Sequence, residues 1–270
     1  MLRNIFTKTI YERRRSLLWW GLGIIVLIAM LMGFYPAMRN PATSEQLTKA
    51  MEAMPKEMLA AFGVTDVANL ITPAGYIQGR LFGFMLPLIV MIFTIGLGSR
   101  AIAGEEEART LDLILAHPIR RSTIVWQSFA ALSVLSIAMG LITWLSLWIG
   151  AVLLDMEIGA AELGAASFNM SLMALCFGAI ALLIGAATGK RAMSMAVATI
   201  LAVIGYFANS LASVIDWLEP FQKLSPFYYA DYNQPLKHGF HYLPILVLGG
   251  VIVLCGFAAV KLFERRDVAV

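Results

Sequence analysis

The chain has 270 residues, 60% of them hydrophobic and 14% charged, with a net charge of +3 and a mean hydropathy of +0.78. Soluble domains carry about 25% charged residues, so this composition excludes an ordinary water-soluble fold and predicts an all-α membrane protein. Its two cysteines, Cys176 and Cys255, both sit in apolar runs; they read as small buried residues rather than a disulfide framework.

In residues 1–15, Leu2, Ile5, Phe6, Thr9 and Ile10 share a face, with Lys8, Glu12 and Arg15 off it. That pattern predicts an amphipathic helix on the inner membrane surface. Six spans follow, at about 16–38, 80–100, 122–154, 163–189, 192–215 and 240–262, since crossing a bilayer takes about 20 apolar residues. Arg13-Arg14-Arg15 ahead of the first span superficially matches a twin-arginine signal. The run is too long for one and no small-x-small cleavage site follows, so it reads as an uncleaved span. The third run is longer than a bilayer needs and should tilt or protrude. Residues 1–270 thus form a single transmembrane domain. With the N-terminus inside, 14 of the 20 Lys and Arg residues fall in inner segments and 6 in outer ones. The positive-inside rule then places both termini in the cytoplasm.

Between the first two spans, Leu47, Ala50, Met51, Met54, Met58, Leu59 and Phe62 follow helical spacing, with Gly63 as a C-cap. This segment is either an interfacial helix resting on lipid or a lid over a pathway. Between spans two and three comes the densest charge in the chain, residues 104–121. Glu105, Glu106 and Glu107 suit the positive end of a helix dipole, and Glu105 and Arg109 are spaced to pair. Leu111, Ile114 and Leu115 make a small apolar face, and Pro118 ends the helix, with Arg120 and Arg121 at the return to the membrane. The stretch is either a solvated connection or a docking element for a cytoplasmic partner.

The remaining spans hold few polar groups: Thr94, Thr143, Ser146, Asn169, Thr199, Asn209, Ser210 and Ser213. Most are expected to satisfy neighbouring helices. Asn209, Ser210 and Ser213 cluster near the outer end of the fifth span and are candidates for lining a pathway. Small residues at Ala181, Gly185 and Gly189 permit close helix contact, within the chain or between subunits. The segment from Gly185 to Arg191 has three residues where a phosphate loop needs four, and Arg191 where it needs Ser or Thr, so it reads as a tight inner turn. The loop 216–241 carries Trp217, Phe221, Phe227, Tyr228, Tyr229 and Tyr232 and reads as an aromatic belt at the membrane interface. His238 and His241 read as surface residues with no third metal ligand near. No catalytic group, metal site or nucleic-acid contact is expected. An apolar lining suits an apolar or amphipathic cargo.

Gly104-Glu105-Glu106-Glu107, then Thr110-Leu111, then Pro118 and Arg121 resemble the cytoplasmic loop of the type-2 permeases of ATP-binding-cassette (ABC) exporters. One departure is Arg109, where that family usually has Gly; a stiffer helix is expected from it. Thr72-Pro73-Ala74-Gly75 and Ser225-Pro226-Phe227 resemble the family's entries into its second and last spans. The resemblance covers the whole chain. It implies a six-helix permease subunit that is not itself an enzyme and binds no cofactor. ATP and Mg would sit on a separate cytoplasmic ABC ATPase, present in two copies and coupled through Gly104, Glu105, Glu106, Arg109, Thr110, Leu111, Ile114, Leu115, Pro118 and Arg121. A second permease copy, identical or related, would complete the pathway in the lipid of a prokaryotic cell (plasma or inner) membrane. A stand-alone carrier or channel, and a non-transporting scaffold or sensor, are the alternatives. The absence of ionisable residues inside the spans counts against a carrier.

Overall fold

Asn4 starts the first helix. Its extended backbone frees the side chain to accept from the amide of Thr7 at 2.8 Å, which satisfies a donor that the first turn leaves unpaired. From there α1 runs without interruption through Ile5–Gly33. This corrects the expected separation of a surface helix from the first span. No breaker separates Arg15 from Ser16, so 29 residues form one rod about 43 Å long. In this computed structural model the described residues are 4–38, 46, 49–51, 53–55, 58–59, 72–111, 119–212 and 214–266. Half of the expected 47–62 helix, with Gly63, lies outside them, as do Ile114, Leu115, Pro118 and Ser213.

Six helices are long and apolar enough to cross a membrane, and the described residues contain no strand. After α1 come α2 (Pro73–Glu107), α3 (Arg121–Leu153), α4 (Ala160–Thr188), α5 (Arg191–Leu211) and α6 (Tyr242–Arg265). α2 is irregular. It opens on the Thr72 cap with Pro73 in the first turn, passes through a π-turn at Gln78–Phe82, and breaks at Phe84. It widens again at Arg100–Gly104 before a last turn at Glu105–Glu107. Such wide turns bend a helix and recur at functional sites.

α4 is buried nearly all round and packs against α2, α3, α5 and α6, as befits a helix without a polar face. Its crossing with α2 is very tight. A Cβ on Gly98 would lie 2.1 Å from the carbonyl oxygen of Gly178, so only glycine fits there. Beside this crossing Thr94 Oγ1 donates to the Ala174 carbonyl at 2.7 Å, and Ser136 Oγ of α3 donates to Ser171 O at 3.1 Å. Ser194 Oγ of α5 donates to Ala181 O. Thr143 and Ser146 instead bond the carbonyls four residues back in their own helix. Ala181 and Gly185 lie against α5 and the lower part of α2, at Ser194 and Ala103, so this small-residue stripe packs within the chain. α5 buries only the stripe Ser194, Ala198, Ala202, Tyr206 and Ser210. Its exposed Ile200, Val203 and Ile204, like Leu18 and Trp19 of α1, form apolar surface that a bilayer covers.

The aromatic loop folds into short helices at Asp216–Leu218, Glu219–Gln222, Pro226–Ala230 and Pro235–His238. Trp217 and Phe221 are exposed, whereas the belt expectation is corrected for Phe227, which is buried, as is Leu236. Ser225 turns the chain inward. Its hydroxyl accepts from the Phe227 amide at 3.2 Å and donates to Gly205 O at 2.8 Å. Phe227 is thereby set 5.7 Å from Phe177 and 5.4 Å from Tyr206, ring centre to ring centre.

Candidate functional site

The chain brings its chemistry together at two places. The first is the acidic turn at the end of α2, on the same end of the bundle as both described chain ends. Glu105, Glu106 and Glu107 follow one another by about 100° around a helix, so each faces a different neighbour. Glu105 accepts from Lys8 Nζ of α1 at 2.9 Å and from Thr110 Oγ1 at 2.7 Å. Glu106 takes the guanidinium of Arg266, just past α6, on both carboxylate oxygens. Glu107 accepts from the backbone amide of Arg191, the first residue of α5, at 2.9 Å.

Arg266 extends the network. Its other terminal nitrogen donates to Ala186 O of α4 at 3.1 Å, and its own carbonyl accepts from Arg121 of α3 at 2.6 Å. One turn of three acids therefore ties to α1, α5 and α6 directly, and through Arg266 to α3 and α4. The geometry needs Gly189, which ends α4 at φ +66°. A Cβ there would meet Arg266 and both Glu106 oxygens within 2.7 Å.

Four expectations for this stretch change. The helix predicted over 104–117 ends its regular turn at Glu107, because Arg109 adopts φ +56°. The expected Glu105–Arg109 pair is replaced by Lys8 and Thr110. Arg109 does not stiffen the helix: the backbone keeps the left-handed bend that a glycine would make, and an arginine bears it. Leu111 is 1% exposed and belongs to the chain's own core. It anchors the turn rather than sharing an outer face with Ile114 and Leu115.

The second place is a cavity of about 610 Å³ at the opposite end of the bundle. It lies between the first π-turn of α2, the first half of α4, the end of α5 and the short loop helices. Asn209 and Ser210, singled out in the sequence, both line it. Gln222 Nε2 donates to Asn209 Oδ1 at 3.3 Å, crossing from loop to span. The wall is mixed: Met170, Met173 and Phe227 on one side, side-chain amides, phenols and one carboxylate on the other.

That carboxylate is Asp231, which sequence reading passed over because it belongs to a loop and to no motif. Gln78 Nε2, on the α2 π-turn, donates to its Oδ1 at 2.9 Å. Among the described residues it has no ion-pair partner. Asn233 and Gln234, which follow it into the cavity wall, both take left-handed backbone, φ +60° and +48°. Such conformations in residues other than glycine concentrate at binding sites. Asp231 is open to solvent, yet the surrounding protein pushes its carboxyl up to about 6, and the Gln78 hydrogen bond pulls the other way. His238, exposed as expected, also lines the cavity. The sequence signal available was the run from Tyr228 to Asn233, where aromatics flank a single acid.

Four residues have buried polar atoms without a partner among the described residues: the side-chain amide of Asn169, the hydroxyls of Ser128 and Ser167, and Nε of Arg191. No group of His, Cys, Asp or Glu among the described residues could hold a metal ion.

Comparison with known proteins gives a match to the family described as ABC-2 family transporter protein, over residues 3–268. No match was found among curated proteins. A match over nearly the full length, on a bundle of six membrane-crossing helices, places the chain in the ABC-2 family of transporter membrane proteins.

Proposed function

We propose that this chain is the permease subunit of an ABC exporter, driven by a separate cytoplasmic ATPase in two copies and completed by a second permease, identical or related. The observation that carries this reading is the acidic turn. One short element, on the end of the bundle that the positive-inside rule puts in the cytoplasm, holds the ends of α1, α5 and α6 and reaches α3 and α4 through Arg266. Force applied there is shared by every helix it ties. A partner that binds and hydrolyses ATP and Mg on its own surface can move this turn as a lever without this chain performing catalysis.

In this reading Leu111, Thr110 and Gly104 fix the turn to the bundle, Glu105, Glu106 and Arg121 hold its charge network, and Arg109 carries the left-handed bend. Ile114 and Leu115, before Pro118, supply the apolar contact to the ATPase. The cavity at the far end, with Asn209 and Ser210 in its wall, is the outer part of the pathway for an amphipathic compound leaving a prokaryotic cell. Ser213 continues this line in sequence.

The test is co-purification with the ATPase and ATP-driven transport for an Ile114→Asp, Leu115→Asp double variant at matched expression. Each leucine-sized side chain buried against a partner is worth about 1.5–3 kcal/mol, so the double variant loses the complex at least a hundredfold and keeps membrane insertion. Unchanged capture and transport would overturn the coupling role.

A further inference from the structure

Charge distinguishes the outer cavity from the rest of the bundle. Among its lining residues Asp231 is the one acid, held by one amide and paired with no cation among the described residues. The exposed Arg80, Lys223 and Lys237 lie on neighbouring turns but do not line it. A carboxylate that lines the space with no counter-ion of its own gives the cavity a negative field, which draws in cations. The same wall offers aromatic faces. Tyr228 and Tyr232 stack edge to face at 5.7 Å, and Tyr206 packs on Phe227 at 5.4 Å. Rings of this kind attract cations through their quadrupoles. Met170 and Met173 of α4 also line the space, giving an adaptable surface for a bulky ligand. The volume, about 610 Å³, lies within the range of about 300–1,000 Å³ that suits a drug-sized molecule.

We propose that this cavity is a binding site for a bulky organic cation, with Asp231 as its counter-charge and Tyr228, Tyr232 and Tyr206 as its aromatic walls. Gln78 fixes the carboxylate from α2, while the left-handed Asn233–Gln234 pair sets the direction of the loop. The site narrows the amphipathic cargo class to cations. Its place in transport rests on the exporter reading; binding itself does not require the ATPase.

The experiment measures equilibrium binding of tetraphenylphosphonium to the purified full chain in lipid nanodiscs, against tetraphenylborate, an anion of nearly the same size and shape. Saturable phosphonium binding is expected, weakened at least tenfold by Asp231→Asn and changed less than threefold by Asp231→Glu. Asp155→Asn, an acid outside the cavity, leaves it unchanged. Borate binding is not weakened by Asp231→Asn, since removing the carboxylate only relieves repulsion of the anion. Phosphonium carries a permanent charge, so lowering the pH from 8 to 5 weakens its binding as Asp231 takes up a proton. His238, Tyr206, Tyr228 and Tyr232 are the other titratable groups facing the site. His238→Gln isolates the histidine contribution by leaving the Asp231 part of the pH response in place. Equal affinity for the two ions, or full affinity in Asp231→Asn, would overturn the proposal, as would a flat pH response of the unmodified chain should that variant fail to fold. Binding that survives while the Ile114/Leu115 double variant captures its ATPase normally would refute the coupling role and leave this site standing. The reverse pattern would refute this site alone.

Discussion

The two ends of the bundle treat negative charge in opposite ways. At the acidic turn three consecutive carboxylates meet Lys8, Arg266 and the amide of Arg191 within the chain. At the cavity one carboxylate meets a neutral amide and open space. Paired charge fixes geometry, because breaking it strands a partly buried ion. Unpaired charge facing space is poised for a ligand. The same residue chemistry therefore builds a brace at one end and a receptor at the other. What joins them is the glycine crossing of α2 and α4, since α2 carries both the turn at its end and Gln78 at its start.

That crossing gives the largest expected effect. Gly98→Ala sets a methyl 2.1 Å from the Gly178 oxygen, and the helices have to separate. Overpacking of this kind costs about 3 kcal/mol. Both ends should fail together, as a lower thermal midpoint, weaker ATPase capture and weaker phosphonium binding. Loss of one function with the other intact would show that the ends are independent.

The brace is broken more gently. A double-mutant cycle of Glu106→Gln and Arg266→Gln is expected to give a coupling of about 2 kcal/mol, because one guanidinium nitrogen meets both carboxylate oxygens and the side chains are 28% and 17% exposed. The same cycle on Lys8 and Glu105, one hydrogen bond at 31% and 24% exposure, should give less than about 1 kcal/mol. Equal couplings would mean that Arg266 is not the hub of the network.

For the receptor end the stability effect has the opposite sign. The folded-state carboxyl of Asp231 titrates at about 6, above its ordinary 3.8. The stability it contributes is complete below about pH 4 and lost as the pH rises through 6. Above pH 6, then, Asp231→Asn should melt at a higher temperature than the unmodified chain, and the two should converge near pH 4. A variant that is steadier and yet binds cations poorly is the signature of a residue kept for its ligand. Destabilisation by Asp231→Asn at pH 7.5 would place the aspartate among the braces instead.

The smallest effect is at Arg109. Replacing it with Gly relieves a left-handed backbone and should stabilise the turn by up to about 1 kcal/mol in thermal melts. A loss would show that the guanidinium matters more than the bend.

Composition and hydropathy sufficed for the six spans, because exclusion of polar backbone and charge from lipid acts on each segment alone. The order of Gly104, Thr110 and Pro118 was likewise visible as a local motif, whereas the break at Arg109 was not, because an arginine there reads as helix. Asn209 and Ser210 could be picked out because polar residues are scarce in a span. The extent of α1 was not legible, since nothing in the sequence says whether a basic amphipathic stretch bends onto the membrane or continues as a rod. Nor could residue order show that Glu105, Glu106 and Glu107 reach three different helices, because their partners are 97, 160 and 84 positions away. Asp231 depends on the same kind of long-range placement. In sequence it is one acid in an aromatic loop; Gln78, 153 residues earlier, and the inward turn at Ser225 make it a charge in a cavity. Lipid selects the spans one at a time, whereas pairing and vacancy of charge are properties of helices packed against one another.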